Sequence, residues 1–165
     1  MIKVLDNFLE IKDFNSLTDS MTGNEFPWFL NKGVSYANDG HIQFYHNFFL
    51  YNNFPHYSSN CITLLEPILN KINPLSIVRI KANLLQRTNI IHEHDMHVDY
   101  NFDGTTCIYY LNTNNGYTLF EDGSKIESVA NRLVLFDANI KHAGTSCTDA
   151  LYRAVINFNF LLRKD

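Results

Sequence analysis

The sequence predicts a mainly β fold with flanking α-helices: a double-sheet jelly roll with N-terminal helices packed on one of its sheets. Three observations predict it. Residues 76–162 divide into eight short apolar or alternating runs at regular spacing, separated by turn residues. Residues 1–75 instead mix helical spacing with aromatic-rich extended segments. Finally, 45% hydrophobic and 14% aromatic residues in a chain of 165 are ample for one core, burying roughly two-thirds of the unfolded surface. We therefore expect a single domain over residues 1–165, with a helical and extended support region (1–75) and a jelly-roll core (76–162).

Along the chain, Ile11, Phe14, Leu17, Thr18 and Met21 recur at helical spacing, with Gly23 as the stop. Segments 26–30 and 42–51 read as strands. Ser58 and Ser59 are expected to cap a helix running to about residue 73, kinked or divided at Pro67 and ended by Asn73-Pro74. The strands of the core are expected at 76–86, 96–100, 105–112, 117–121, 124–129, 132–137, 140–145 and 151–162. Asn114-Asn115-Gly116, Asp122-Gly123 and Ala130-Asn131 supply turn chemistry between them. The helices would cover one sheet, whose outer face must otherwise be polar.

The net charge of −4 argues against a non-specific nucleic-acid or membrane-surface binder, either of which needs a basic face, but does not exclude a nucleotide-sized substrate. No apolar run approaches the ~20 residues that a membrane helix requires. Asp6 interrupts any signal-peptide pattern at the N-terminus. Cys61, Cys107 and Cys147 are odd in number and have no metal-site spacing, which suits free thiols in a reducing cytoplasm.

The chemistry lies in His97-Val98-Asp99, His142 and Arg153. A His and an Asp two apart on an extended segment point to one face. A distant His142 can complete three ligands on one side of a metal, and two His with one carboxylate suit non-haem Fe(II) oxygenases. An Arg after the second His would anchor a carboxylate co-substrate in bidentate fashion.

Each residue alone has a plainer explanation. His97 and Asp99 can form a surface pair, His142 can be an exposed loop residue, and Arg153 can lie on a solvated face. Their order on this strand pattern is more specific than any one of them. A His92/His94/His97 zinc cluster is a competitor, but it leaves Asp99, His142 and Arg153 without a shared purpose. We read His92, His94 and Asp95 as site rim or solvated loop, with solvated loop favoured. His41, His46 and His56 are read as satisfied or exposed.

The stretch from His97 through His142 to Phe160 resembles the core of the Fe(II)/2-oxoglutarate-dependent dioxygenases, a double-stranded β-helix, within the prolyl 4-hydroxylase-like branch. Thr106-Cys107-Ile108-Tyr109-Tyr110-Leu111-Asn112 is similar to a strand of the hypoxia-inducible-factor prolyl hydroxylases. Gly116-Tyr117-Thr118-Leu119-Phe120 is similar to the Gly-Gly-x-Thr-x-Phe run of collagen-type and algal prolyl hydroxylases. The resemblance covers roughly residues 76–162.

It implies His97, Asp99 and His142 as iron ligands, and Arg153 and Tyr110 on the distal carboxylate of 2-oxoglutarate, with Tyr109 on the opposite side of the sheet. Asn83 stands where the family usually has a Tyr, in a strand that lacks the family's Pro-Gly turn. The algal and collagen enzymes carry Lys in place of Arg153. The resemblance further implies O2 as oxidant, ascorbate in support, and succinate and CO2 as products. The substrate would be a prolyl residue of a peptide or protein, or a free amino acid. The alternative from another class is a non-catalytic, cupin-like protein that binds a metal and a small acid.

Overall fold

A computed structural model describes residues 1–34, 36, 39–51 and 57–163. The elements, in chain order, are β1 (Lys3–Leu5), α1 (Ile11–Thr22), β2 (Phe29–Asn31), β3 (Gln43–Leu50), β4 (Tyr57–Ser58), a 3₁₀ turn (Ile62–Leu65), α2 (Glu66–Ile72), β5 (Ser76–Gln86), β6 (Thr105–Tyr110), β7 (Tyr117–Phe120), β8 (Lys125–Glu127), β9 (Arg132–Asp137), β10 (His142–Gly144) and β11 (Tyr152–Leu161). An eight-stranded sheet runs β1-β9-β6-β11-β5-β3-β2, with β4 paired to β3. A three-stranded sheet runs β10-β7-β8. Every strand pairing is antiparallel. This is the expected jelly roll with helices on one sheet.

β11 shows why the layers form. It is central and buried from Arg153 to Phe160, so its two faces must each find a partner. Ala154, Ile156, Phe158 and Phe160 pack with Leu17 and Met21 of α1 and Ile68 of α2. Val155 packs on the other face with Ile108, Tyr110, Phe120, Val134 and Phe136, between the two sheets. Tyr109 and Tyr110 accordingly enter different cores. The inter-sheet face of β11 also carries Arg153, Asn157 and Asn159, an unusually polar lining for a jelly-roll interior. Helix α1 has no side-chain cap, and it is held by burial of Leu17 and Met21 rather than by its ends.

Three expectations change. Ser58 and Ser59 do not cap a long helix: Ser58 ends β4, and the Ser59 hydroxyl accepts the Cys61 N–H at 3.1 Å. A 3₁₀ turn precedes α2, so the division falls between Leu65 and Glu66. Pro67 is then tolerated in the first turn, where its missing N–H has no intrahelical partner. Residues 96–100 are not a regular strand. Segment 88–97 instead runs along residues 142–147 through separate antiparallel contacts. His142, expected in a loop-like position, opens β10 and is 2% exposed.

Other expectations hold. Asn73 ends α2 in the left-handed region, and its N–H donates to the Leu69 carbonyl. His46 is a satisfied core histidine, bonded to the Pro27 carbonyl and Ser59 Oγ at 2.8 Å each. His56 lies outside the described residues. The three cysteines are free. Among the described residues no helix is long and apolar enough to cross a membrane.

The N-terminus is tied down by Asn131, which has φ of 61°. Its Oδ1 accepts from Leu9 N (2.8 Å) and the Tyr109 hydroxyl (2.7 Å), and its Nδ2 donates to Leu9 O (2.8 Å). Asn131→Ala loses all three bonds, two of them leaving buried backbone groups unmatched. It also puts a Cβ-bearing residue with no local hydrogen bond in the left-handed region. We expect a loss of about 3 kcal/mol in urea unfolding.

Candidate metal centre

His97, Asp99 and His142 come together, with one ligand atom from each lying within 4.8 Å of the others. The local chain explains the convergence. His97 and His142 exchange two backbone hydrogen bonds of 2.9 Å, which set both rings on one side; the ring centroids are 5.1 Å apart. Asp99 is turned inward by two other strands. Arg79 of β5 donates to its main-chain oxygen at 3.3 Å, and Asn157 of β11 donates to its carboxylate at 2.9 and 3.2 Å. Phe136 packs edge-on against His142, with centroids 4.9 Å apart.

The tautomers point the same way. His97 Nδ1 meets the Asp95 carbonyl at 2.9 Å, and His142 Nδ1 meets the Ile140 carbonyl at 3.2 Å. A carbonyl can only accept, so each Nδ1 carries a proton, and in the neutral ring each Nε2 carries the lone pair. Those Nε2 atoms stand 3.8 and 3.9 Å from the Asp99 carboxylate. At these separations they are charge neighbours of Asp99 rather than hydrogen-bond partners. His142 Nε2 is buried and, among the described residues, has no hydrogen-bond partner.

A buried acceptor left without a donor is costly. A divalent cation between the two imidazoles and the carboxylate removes that cost, and the donor set suits Fe(II). The residues therefore fit the metal.

Electrostatics favour the neutral ligand form at His142, whereas at His97 a metal would have to displace a proton that Asp99 favours. Burial lowers the His142 pKa, keeping the ring neutral and able to ligate. Asp99 beside it raises that of His97. Burial works against ionisation of Asp99, but His97, His142 and Arg79 outweigh it and hold the carboxyl well below its usual range.

The cluster opens into a cavity of about 410 Å³ whose wall also includes Asn83, Arg153 and Asn157. Arg153 is 4% exposed. Its Nε donates to Ser128 Oγ at 2.8 Å and its Nη2 to Thr118 Oγ1 at 3.1 Å; among the described residues it has no carboxylate partner. Tyr110 does not line the cavity. Its ring lies under the guanidinium at 5.6 Å, and its hydroxyl bonds to Thr118 Oγ1 at 2.8 Å. Asn83 Oδ1 is buried and has no hydrogen-bond partner among the described residues.

The Gly116–Phe120 run now has a physical reading. A Cβ on Gly116 would stand 2.8 Å from Arg153 Cδ, so only glycine admits the arginine. Thr118 holds both Arg153 and Tyr110, and Phe120 faces the His142 ring. Ser128 and Asn157 also hold the site's residues, Arg79 and Lys81 also line its cavity, and sequence reasoning missed all four. Strand alternation from Asn83 back to Lys81 and Arg79 is the signal that would have found the last two.

His94 is a correction. It is half-buried on the cavity wall rather than part of a solvated loop, with its N–H donating to the Gly144 carbonyl. Its pKa falls to about 4, through burial and then the nearby His41. The unfolded chain, with an ordinary histidine, binds the extra proton between pH 4 and 6.5. Stability should therefore fall as pH drops through that window. Solvent screening of the partly open ring leaves about 1 kcal/mol between pH 7 and 5. Denaturant unfolding at both pH values, on wild type and His94→Gln, checks this: the variant should have the flatter profile.

No protein-family model and no curated protein matches the sequence. Solved structures do match. A 2OG-Fe(II) oxygenase-family oxidoreductase from Burkholderia pseudomallei aligns with a TM-score of 0.67 at 11% identity, over 97% of this chain and 84% of that one. The epimerase SnoN of nogalamycin biosynthesis, bound to Fe3+, alpha-ketoglutarate and nogalamycin RO, gives 0.65 at 11%, over 98% and 78%. A Trichoplax adhaerens prolyl hydroxylase, in complex with a hypoxia-inducible-factor peptide fragment, gives 0.63 at 14%, over 96% and 83%. The chain thus has the fold of the 2-oxoglutarate/Fe(II) oxygenases and prolyl hydroxylases, with a His-Asp-His cluster on its cavity wall.

Proposed function

We propose that the protein is an Fe(II)- and 2-oxoglutarate-dependent oxygenase that hydroxylates a substrate of the prolyl-residue or amino-acid kind. One substrate C–H, one O2 and one 2-oxoglutarate would give one C–OH, one succinate and one CO2. The observation that carries the reading is the unpartnered, buried His142 Nε2, aligned with His97 Nε2 and the Asp99 carboxylate.

His97, Asp99 and His142 would hold the metal on one face. When bound, Fe(II) supplies the redox chemistry that couples O2 to oxidative decarboxylation and substrate oxidation. The chain's own residues orient and exclude. The Asp95 and Ile140 carbonyls fix the histidine tautomers, and Asn157 fixes the carboxylate. Arg153 would bind the distal carboxylate of 2-oxoglutarate, its other N–H groups already aimed by Ser128 and Thr118. Tyr110 supports it from beneath, and the Asn83 amide would meet the co-substrate's other end. Phe120, Phe136, Ile108 and Val155 keep water from the inner wall.

The test is an anaerobic titration of 2-oxoglutarate into Fe(II)-loaded protein, followed by admission of O2. We expect a visible charge-transfer band and then many equivalents of succinate per iron once a substrate is supplied. The absence of any band refutes the reading. A band with succinate stopping at one equivalent for every substrate favours the cupin-like binding protein.

A further inference from the structure

The cavity wall carries more positive charge than the metal and co-substrate use. In the proposed complex, the two charges of Fe(II) and the one of Arg153 are matched by Asp99 and the two carboxylates of 2-oxoglutarate. Arg79 and Lys81 remain.

Both are on β5, where alternation sets Arg79, Lys81, Asn83 and Leu85 on the cavity face. Arg79 is partly engaged, 3.8 Å from the Asp99 carboxylate. Lys81 has no carboxylate partner and no hydrogen bond among the described residues; it only overlies the Tyr45 ring, at 5.2 Å. Asp99 is the only carboxylate on the described wall. A half-buried ammonium beside a second cation is unfavourable without an anion. Burial, with Arg79 adding to it and Asp99 only partly opposing, brings the Lys81 pKa down to about 8.

A second, independent observation points to a ligand at the same place. Asn157 is opposite Lys81 in the β5–β11 register and is 7% exposed. Its Nδ2 is spent on both Asp99 oxygens, which fixes the amide orientation. Its Oδ1 therefore has no partner among the described residues. Size matters too: 410 Å³ is near the small end of ligand pockets, enough for 2-oxoglutarate and a compact second molecule.

We propose that the substrate is a small organic acid whose anionic group, carboxylate or phosphate, is held by Arg79 and Lys81, and whose N–H or O–H donates to Asn157 Oδ1. Among the candidate substrates this selects a free amino acid or similar acid over an internal prolyl residue, which carries no charge. The inference rests on the oxygenase reading.

The experiment is calorimetry on the full chain loaded anaerobically with Fe(II) and 2-oxoglutarate. The probes are free L-amino acids and dicarboxylic acids, each paired with its carboxamide, together with O-phosphoserine paired with serine. We expect at least one acid to bind about tenfold or more tightly than its uncharged partner. The amino-acid and phosphoserine arms separate carboxylate from phosphate. Lys81→Gln should bring the ratio close to one, Lys81→Arg should keep it, and neither should alter 2-oxoglutarate affinity.

A panel in which no acid exceeds its partner overturns the inference. So does a ratio that survives Lys81→Gln, or a Lys81→Gln effect that falls on 2-oxoglutarate instead. Arg153→Met, measured in parallel, isolates the underlying reading: unchanged 2-oxoglutarate affinity there refutes the co-substrate assignment itself.

Discussion

Asp99→Asn should weaken Fe(II) binding by about 100-fold or more, measured by anaerobic competition with a chelator. The substitution keeps the shape of the side chain and an oxygen for Asn157 Nδ2, so packing is preserved while the anionic ligand is lost. A buried charge pair broken on one side costs about 3 kcal/mol or more, which is the expected factor. Linkage gives a second readout. Metal at 100 times its Kd should stabilise the wild type by about 2.7 kcal/mol and Asp99→Asn hardly at all. Equal stabilisation of both proteins would remove Asp99 from the metal site. His142→Ala is the harsher variant, because it also empties space between Phe120 and Phe136. For that reason the aspartate, not the histidine, separates ligation from folding.

Arg153→Met should raise the Kd for 2-oxoglutarate by about 100- to 1000-fold while leaving Fe(II) binding in place. It should not destabilise the ligand-free protein. The guanidinium is buried with two hydroxyl acceptors and the Tyr110 ring but no described counter-ion. Burial lowers its pKa, the mark of a cation held where water would serve it better. An apolar side chain of similar length relieves that cost. Urea unfolding without ligands should therefore give the variant equal or greater stability. A marked loss would make Arg153 a structural residue rather than a co-substrate anchor. The opposed signs, function lost and stability kept, are what distinguish the two roles.

Elements with strong local signatures are legible in the sequence. Alternation in β7, the continuous apolar run of β9, turn residues at Asp122-Gly123 and Ala130-Asn131, and the apolar spacing of α1 depend on neighbours close along the chain. The elements that misread are those decided by distant partners. Segment 96–100 looks like a strand by its alternation, but its pairing with β10 is limited to the single His97–His142 bridge. Ser58 and Ser59 have cap chemistry, yet Ser59 is drawn to His46 of β3. His94 resembles a solvated loop residue until Gly144 holds its backbone against the cavity wall.

Residue type and periodicity are local properties. They pointed to the strand-rich core, the helical cover and the candidates His97, Asp99, His142 and Arg153, whereas Tyr110 and Asn83 entered only through the family resemblance. Three things came from the folded chain instead: which nitrogen of each histidine is free, the place of Tyr110 beneath Arg153 rather than on the cavity wall, and the presence of Arg79, Lys81 and Asn157 at the site. They depend on residues far apart in the chain, such as Arg79 of β5 and Asn157 of β11, meeting in one register. Hydrogen-bond partners, burial and uncompensated charge exist only once that register is formed.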